Sequence, residues 1–292
     1  MASAELIRKV LIFRLRSILL YVPLLVAVGL YLVVKKIHPE RGRILRLRLP
    51  RFFSALFLRI NGIQIDSRGL THIDPNRPEP RILFCNHNSR LDAYALLASI
   101  PVPYKSFWST KAHITLERLS FLRWCGEKFE MFFVHDKDNV RVTAREFRRA
   151  SDYVSEGNTL SLFPEGTISH DGLIGSFGDA CFKLALRSNA VIVPTLILGT
   201  AALFEHKKLA RGARTIKILT MQPRRLTGLT AADAEEFMKQ LAQQMNEVIE
   251  NEARSENEIR HLLIRRYSTP ENEGQPDTVG TEATAAAPRA TR

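Results

Sequence analysis

The sequence predicts an α/β protein with a mostly parallel sheet flanked by helices, an N-terminal membrane helix and a disordered C-terminal tail. Three observations carry that expectation. Short apolar stretches of strand length alternate with helical patterns through the middle of the chain. An uncharged apolar run lies close to the N-terminus. From Ser268 onward no aromatic residue occurs, and Pro, Glu, Thr, Ala and Gly dominate.

The N-terminal run spans Ser17 to Val34 without a charge. A helix of that length reaches roughly 27 Å, close to the thickness of a bilayer's hydrocarbon layer. A cleaved secretory signal fits poorly, because Lys35 and Lys36 stand where small residues would mark the cleavage site. The competing readings are a spanning helix, a helix lying within one leaflet, and a buried core helix. Tyr21 and Tyr31 are expected to act as interfacial anchors. Basic residues flank the run and are denser after it, from Lys35 to Arg51, where Ile44, Leu45, Leu47, Leu49, Phe52 and Phe53 interleave with them. The expectation is a membrane-anchoring segment over residues 1–57, the apolar helix 17–34 plus a basic amphipathic stretch. Membrane lipids are its partners, and the following domain faces the cytosol.

The folded domain is expected over 58–267. Arg59–Ile65 and Arg81–Cys85 read as strands, with polar, Pro-rich sequence between them. Leu91–Ile100 is apolar at helical spacing and stops before Pro101. Further strands are expected at Phe129–Val134, Thr159–Phe163, Ala190–Leu198 and Thr215–Thr220, and helices at Val140–Ser155 and Asp179–Arg187. A last helix starts at Thr230 with Asp233 as capping-box partner and runs past Ile249. Residues 268–292 cannot bury enough apolar surface to order themselves and form the tail.

A hydrophobic content of 45% in 292 residues supplies a sizeable core. Against 30 acidic residues stand 42 basic ones, giving +12 and a surface suited to an anionic partner. Nucleic acid is disfavoured as that partner, because no recognition motif is present and the basic cluster adjoins apolar sequence. Cys85, Cys125 and Cys181 are far apart and form no Cys-x-x-Cys, so neither a zinc knuckle nor a disulfide framework is indicated. Nothing in the sequence specifies an oligomeric state.

The chemistry concentrates in Asn86-His87-Asn88-Ser89-Arg90-Leu91-Asp92, where a strand gives way to a helix. Residues five apart on one helix would point about 140° apart. His87 therefore belongs in the turn, with Asp92 reaching back from the helix. The carboxylate can then fix the imidazole tautomer, leaving the other ring nitrogen to take a proton from an incoming hydroxyl. A second block, Phe163-Pro164-Glu165-Gly166-Thr167, follows an apolar strand and reads as an acceptor-binding loop or, more simply, a tight turn. A third, Val191-Ile192-Val193-Pro194-Thr195, is a buried strand.

These three segments, in this order, closely resemble the glycerolipid acyltransferase family, which includes 1-acylglycerol-3-phosphate and lysophospholipid acyltransferases. The resemblance covers roughly Ile60 to Leu219. It implies His87 as general base and Asp92 as its orienting partner. It places Asn86, Ser89, Lys111, Lys137, Glu165, Gly166 and Thr167 among the substrate-binding residues. No metal or other cofactor is implied, and acyl-CoA or acyl carrier protein serves as the thioester co-substrate. The expected reaction moves a fatty-acyl group to a hydroxyl of a lysophospholipid or 1-acylglycerol-3-phosphate acceptor, in phospholipid biosynthesis or remodelling. The competing reading is a catalytically idle lipid-binding scaffold of the same fold, which would need none of Asn86, His87, Asp92, Glu165 and Gly166.

Two departures stand out. Relatives using a phosphomonoester acceptor usually carry Arg in a Phe-Ile-Asp-Arg-like run and just after Glu-Gly-Thr. Here those stretches read Phe133-Val134-His135-Asp136-Lys137-Asp138 and Thr167-Ile168-Ser169. Lys137 or Arg141 is the available substitute, but an ammonium is no bidentate fork for phosphate.

Overall fold

The structure is a computed structural model that describes residues 15, 21–74, 76, 78–102, 104–109, 128–129, 131–134, 140–169, 171–203 and 215–255. Two helices lead, α1 (Tyr21–Ile37) and α2 (Pro39–Ile60). Pro39 opens α2, where its fixed φ suits the first turn and its missing N–H is not needed. A Cβ on Gly42 would stand 2.5 Å from the Lys35 backbone, so the close return of α2 past α1 depends on glycine there.

The expected apolar helix over 17–34 is described from Tyr21 onward. Residues 17–20 lie outside the described residues. The described helix has 17 residues, a length of about 25 Å, and among the described residues no helix is long and apolar enough to cross a membrane. Protein covers part of α1: Val28 and Tyr31 are buried with Phe129 and Met131. The Tyr31 hydroxyl donates to the Lys128 carbonyl at 3.3 Å. Tyr31 is a packing residue rather than the expected interfacial anchor.

Arg59–Ile65, expected as one strand, is divided. Helix α2 continues to Ile60 and closes in a Schellman arrangement: Ile63 N–H donates to Leu58 O, and Gly62 N–H, at φ +68°, donates to Arg59 O. Strand β1 (Gln64–Arg68) starts only then. There follow β2 (Arg81–Cys85), α3 (Leu91–Ser99), β3 (Tyr104–Ser109), β4 (Phe132–Val134), α4 (Val140–Ser155) and β5 (Thr159–Leu162). The chain continues with α5 (Asp179–Arg187), β6 (Val191–Leu198), α6 (Thr200–Leu203), β7 (Thr215–Thr220) and α7 (Ala234–Ser255). Thr230 and Asp233 form the expected capping box ahead of α7.

The seven strands lie in the order β1-β7-β6-β2-β5-β3-β4, and β6–β7 is the one antiparallel pairing in that sheet. The sheet is thus mostly parallel, as expected. Strand alternation divides the core. Ile82, Phe84, Leu160 and Ile192 pack beneath α4, α5 and α7. Leu83, Cys85, Val191 and Val193 pack beneath α2 and α3. Ring stacking of Phe57 on Tyr94, 4.7 Å between centroids, fixes α2 across α3. This sandwich clamps β2 at the centre of the sheet, every residue of it buried.

Candidate active site

Strand β2 leaves the sheet after Cys85, at the carboxyl edge where parallel sheets of this kind open their crevices. Asn86 manages that exit. Its amide oxygen accepts from Ile197 N–H at 2.7 Å and its amide nitrogen donates to Ile197 O at 3.1 Å. The side chain stands in for the next rung of β2 and satisfies both backbone groups of β6. At 1% exposure, with both amide atoms used, Asn86 is a strap in place of the expected substrate contact.

His87 sits in the turn beyond, half-buried, and Asp92 in the first turn of α3, fully buried. Asp92 Oδ2 accepts three hydrogen bonds: from Asn88 N–H at 2.7 Å, Ser89 N–H at 2.8 Å and His87 Nδ1 at 2.9 Å. Two backbone donors at a helix start hold the anion there, and the anion in turn orients the ring. With Nδ1 facing a carboxylate, Nδ1 carries the proton and Nε2 is the acceptor. The imidazole stacks on Phe163, 4.2 Å between centroids and 24° between planes. Phe163, which heads the second block, is a contact that the sequence reading omitted. Ser89, expected to bind substrate, is buried. Its Oγ accepts from Leu91 N–H at 3.3 Å, and its N–H serves Asp92.

The second block arrives from β5. Glu165 Oε1 accepts from His87 N–H at 3.0 Å, and Oε2 accepts from Gly175 N–H at 3.2 Å. Ser169 N–H donates to His87 O at 2.7 Å. The histidine's backbone is therefore held from both sides by the loop after β5. Both Glu165 oxygens thus accept from the chain's own loops. Burial pushes its carboxyl above the usual carboxylate value, against the lowering effect of the Gly175 and His87 N–H groups. Gly166 has φ +70° and its N–H donates to Phe163 O, which makes the tight turn that swings Glu165 inward. Gly166 and Thr167 are exposed on the rim. Lys111 and Lys137 lie outside the described residues.

Beneath the site, Cys85 is buried, and burial followed by the Asp92 charge raises its thiol well above the ordinary value, so it stays a neutral core side chain. Among the described residues no group of three His, Cys, Asp or Glu side chains is arranged to hold a metal ion. Among them, too, no hydroxyl or thiol is hydrogen-bonded to His87 Nε2.

A carboxylate-oriented histidine at the carboxyl edge of a mostly parallel sheet, with its second nitrogen unused, has the arrangement of a general base. The Acyltransferase family model matches residues 64–198, which hold β1 to β6 and every described site residue. The chain is 28% identical over 137 residues to a chloroplastic 1-acyl-sn-glycerol-3-phosphate acyltransferase of Arabidopsis thaliana. That match covers 47% of this chain and 36% of the relative. A probable 1-acyl-sn-glycerol-3-phosphate acyltransferase of Mycoplasma pneumoniae is 28% identical over 163 residues, covering 53% and 56% respectively. The chain thus spans from about a third to just over half of these relatives' lengths. The crystal structure of the 1-acyl-sn-glycerophosphate acyltransferase PlsC from Thermotoga maritima shares the fold. Its TM-score is 0.63 at 20% identity, over 82% of this chain and 98% of that one.

Proposed function

We propose that the chain is a membrane-associated O-acyltransferase. It moves a fatty-acyl group from a thioester of coenzyme A or acyl carrier protein to the free hydroxyl of 1-acylglycerol-3-phosphate or a related lysophospholipid. The observation that carries this reading is the His87–Asp92 pair, an oriented base whose Nε2 has no protein nucleophile bonded to it among the described residues. A base so placed takes its proton from a hydroxyl that arrives with the substrate. The relatives' names supply the acceptor class.

In the proposed reaction His87 Nε2 removes the acceptor's hydroxyl proton as that oxygen attacks the thioester carbonyl. A C–O bond forms, and the resulting tetrahedral intermediate collapses with cleavage of the C–S bond. The leaving thiolate takes the proton back from Nε2, which returns the imidazole to neutrality. Asp92 stabilises the imidazolium in between. Glu165 and Ser169 keep the His87 backbone fixed, so the ring's aim depends on loops rather than on its own torsions.

Membrane attachment follows, in this reading, from the α1–α2 hairpin lying in the cytosolic leaflet without crossing it. Leu25, Val26, Leu30, Val33 and Ile37 on α1, with Ile44 and Phe52 on α2, are large apolar side chains facing solvent. Lys35, Lys36, Arg41 and Arg48 lie exposed among them, suited to anionic headgroups. The acceptor class is tested with purified protein, labelled acyl-CoA and a panel of lysolipids, with products resolved by headgroup. Acylated product dependent on His87 is expected; hydrolysis of the thioester with no acyl acceptor used would contradict the reading.

A further inference from the structure

Glu165 holds His87 only if something holds Glu165. Its second oxygen is bonded to the N–H of Gly175, an exposed residue, at 3.2 Å. Water competes for a donor in that position and weakens what such a bond contributes on its own. The loop around it carries a second restraint from another part of the chain. Asn246, half-buried on α7, accepts from Ile174 N–H through its amide oxygen at 2.8 Å. It donates to the Ile174 carbonyl through its amide nitrogen at 2.9 Å.

The Ile174 carbonyl and the Gly175 N–H belong to one planar peptide unit. Asn246 therefore grips one end of the plane whose other end is bonded to Glu165. Burial of the Ile174 side chain fixes where the loop sits, but leaves the peptide free to rotate about its flanking bonds. The amide bonds remove that freedom. They also polarise the peptide, which strengthens its N–H as a donor to the carboxylate. The restraint then passes through Glu165 to the His87 N–H, 3.0 Å from the other carboxylate oxygen.

We infer that Asn246 is a positioning residue for acyl transfer, acting through the Ile174–Gly175 peptide and Glu165 on the aim of His87. It lies on α7, outside the segment that matches the family model. The inference rests on the proposed role of His87. Asn246 bonds the Ile174 backbone rather than His87 itself, so its loss acts on turnover through the aim of the base: a base misplaced by a fraction of an ångström loses rate, up to about a hundredfold per ångström.

The test measures kcat and acceptor KM of the full chain in detergent–lipid micelles, with acyl-CoA and lysophosphatidate. The variants are Asn246→Leu, Asn246→Asp, Glu165→Ala, the double variant Asn246→Leu/Glu165→Ala, His87→Ala and a control, Gln243→Leu. Gln243 lines the same groove between the loop and α7 and bonds Glu247. Asn246→Leu is expected to lower kcat about tenfold with KM changed less than twofold. Asn246→Asp keeps the acceptor for Ile174 N–H but loses the donor to its carbonyl. It should recover melting temperature towards wild type and still lose kcat. The double variant should be no slower than Glu165→Ala alone, because both substitutions break one line of contacts. Gln243→Leu should leave kcat unchanged. Wild-type kcat in Asn246→Leu, or losses that multiply in the double variant, would overturn the inference. If His87→Ala itself keeps wild-type turnover, the proposed base has failed instead, and the two failures are told apart in one experiment.

Discussion

Asp92→Asn separates the charge of the carboxylate from its shape. The wild-type side chain is fully buried, and one oxygen, Oδ2, takes all three hydrogen bonds, while Oδ1 has none. In Asp92→Asn the amide oxygen takes the Oδ2 position, since the donors of Asn88 and Ser89 exclude an NH2 group there. The NH2 group then falls at the Oδ1 position, a buried donor without an acceptor, which costs about 1–3 kcal/mol. The two backbone bonds also change from charged to neutral, weakening by roughly 1 kcal/mol each. Release of the buried charge offsets part of this, for a net loss of about 2–4 kcal/mol. That lowers the melting temperature by roughly 5–10 °C in a domain of this size. The rate effect is larger. Without the anion the imidazolium loses the carboxylate bonded at its Nδ1, and in the analogous serine-protease triad the same exchange costs about 10⁴ in kcat. Acyl transfer and differential scanning calorimetry on the same preparation measure both. A variant within tenfold of wild-type kcat, melting at the wild-type temperature, would falsify the assignment of Asp92 as the orienting anion.

Asn86→Ala leaves the Ile197 N–H without its partner and the Ile197 carbonyl with only the 3.5 Å bond from Asn88 Nδ2, so it should destabilise the fold by about 1–3 kcal/mol, read by urea denaturation, before any effect on acceptor binding is seen. Glu165 titrates above its ordinary value chiefly through burial, so its protonated form is favoured by folding. Its contribution to stability is therefore present at acid pH and lost as pH rises through its raised pKa. Turnover runs the other way, since the ionised carboxylate accepts from both loops, and Glu165→Gln should flatten both dependences in paired melting and rate profiles. On the hairpin, Val26→Ser/Leu30→Ser/Phe52→Ser should weaken sedimentation with anionic liposomes at least several-fold while leaving the melting temperature within about 2 °C, because these side chains are largely exposed. Ile168 is half-buried beside the rim of the second block. Ile168→Arg should shift specificity constants towards lysophosphatidate over lysophosphatidylcholine, since a guanidinium fork matches a phosphate monoester. An unchanged ratio would show that residue 168 does not face the headgroup.

Much of this was legible in the residues. Val140–Ser155 and Asp179–Arg187 have the bounds that periodicity predicts, because each presents one apolar face to the sheet, and Thr215–Thr220 has its predicted bounds with Ile216 and Ile218 in one core layer and Leu219 in the other. The spacing of His87 and Asp92 placed one in a turn and the other on a helix, as the structure does. Helix α2 escaped notice as a helix, since Pro50 and alternating Arg and Leu obscure its period and its apolar face is shared between α1, α3 and solvent. Strand β3 went unread, as Lys105 and Ser106 look like surface residues although both are buried, Lys105 beneath the rings of Tyr153 and Phe132. The reversal at β7 has no signature in hydropathy, which reports a residue's face but not its strand's neighbour. For Asn86 and Glu165 the residue types were noticed but their direction was not. An amide or carboxylate in a loop looks the same in sequence whether it faces a ligand or the loop beside it.

In the proposed reaction His87 Nε2 takes the proton of a hydroxyl brought by the substrate. Rapid-quench measurement of a single turnover tests it most directly, with enzyme in excess over labelled acyl-CoA and saturating lysophosphatidate, comparing wild type with His87→Ala. The account predicts that the His87→Ala chain binds acyl-CoA with the affinity of wild type and forms diacylated product at least about 10³-fold more slowly. Product formation within a few-fold of wild type would show that another group removes the proton.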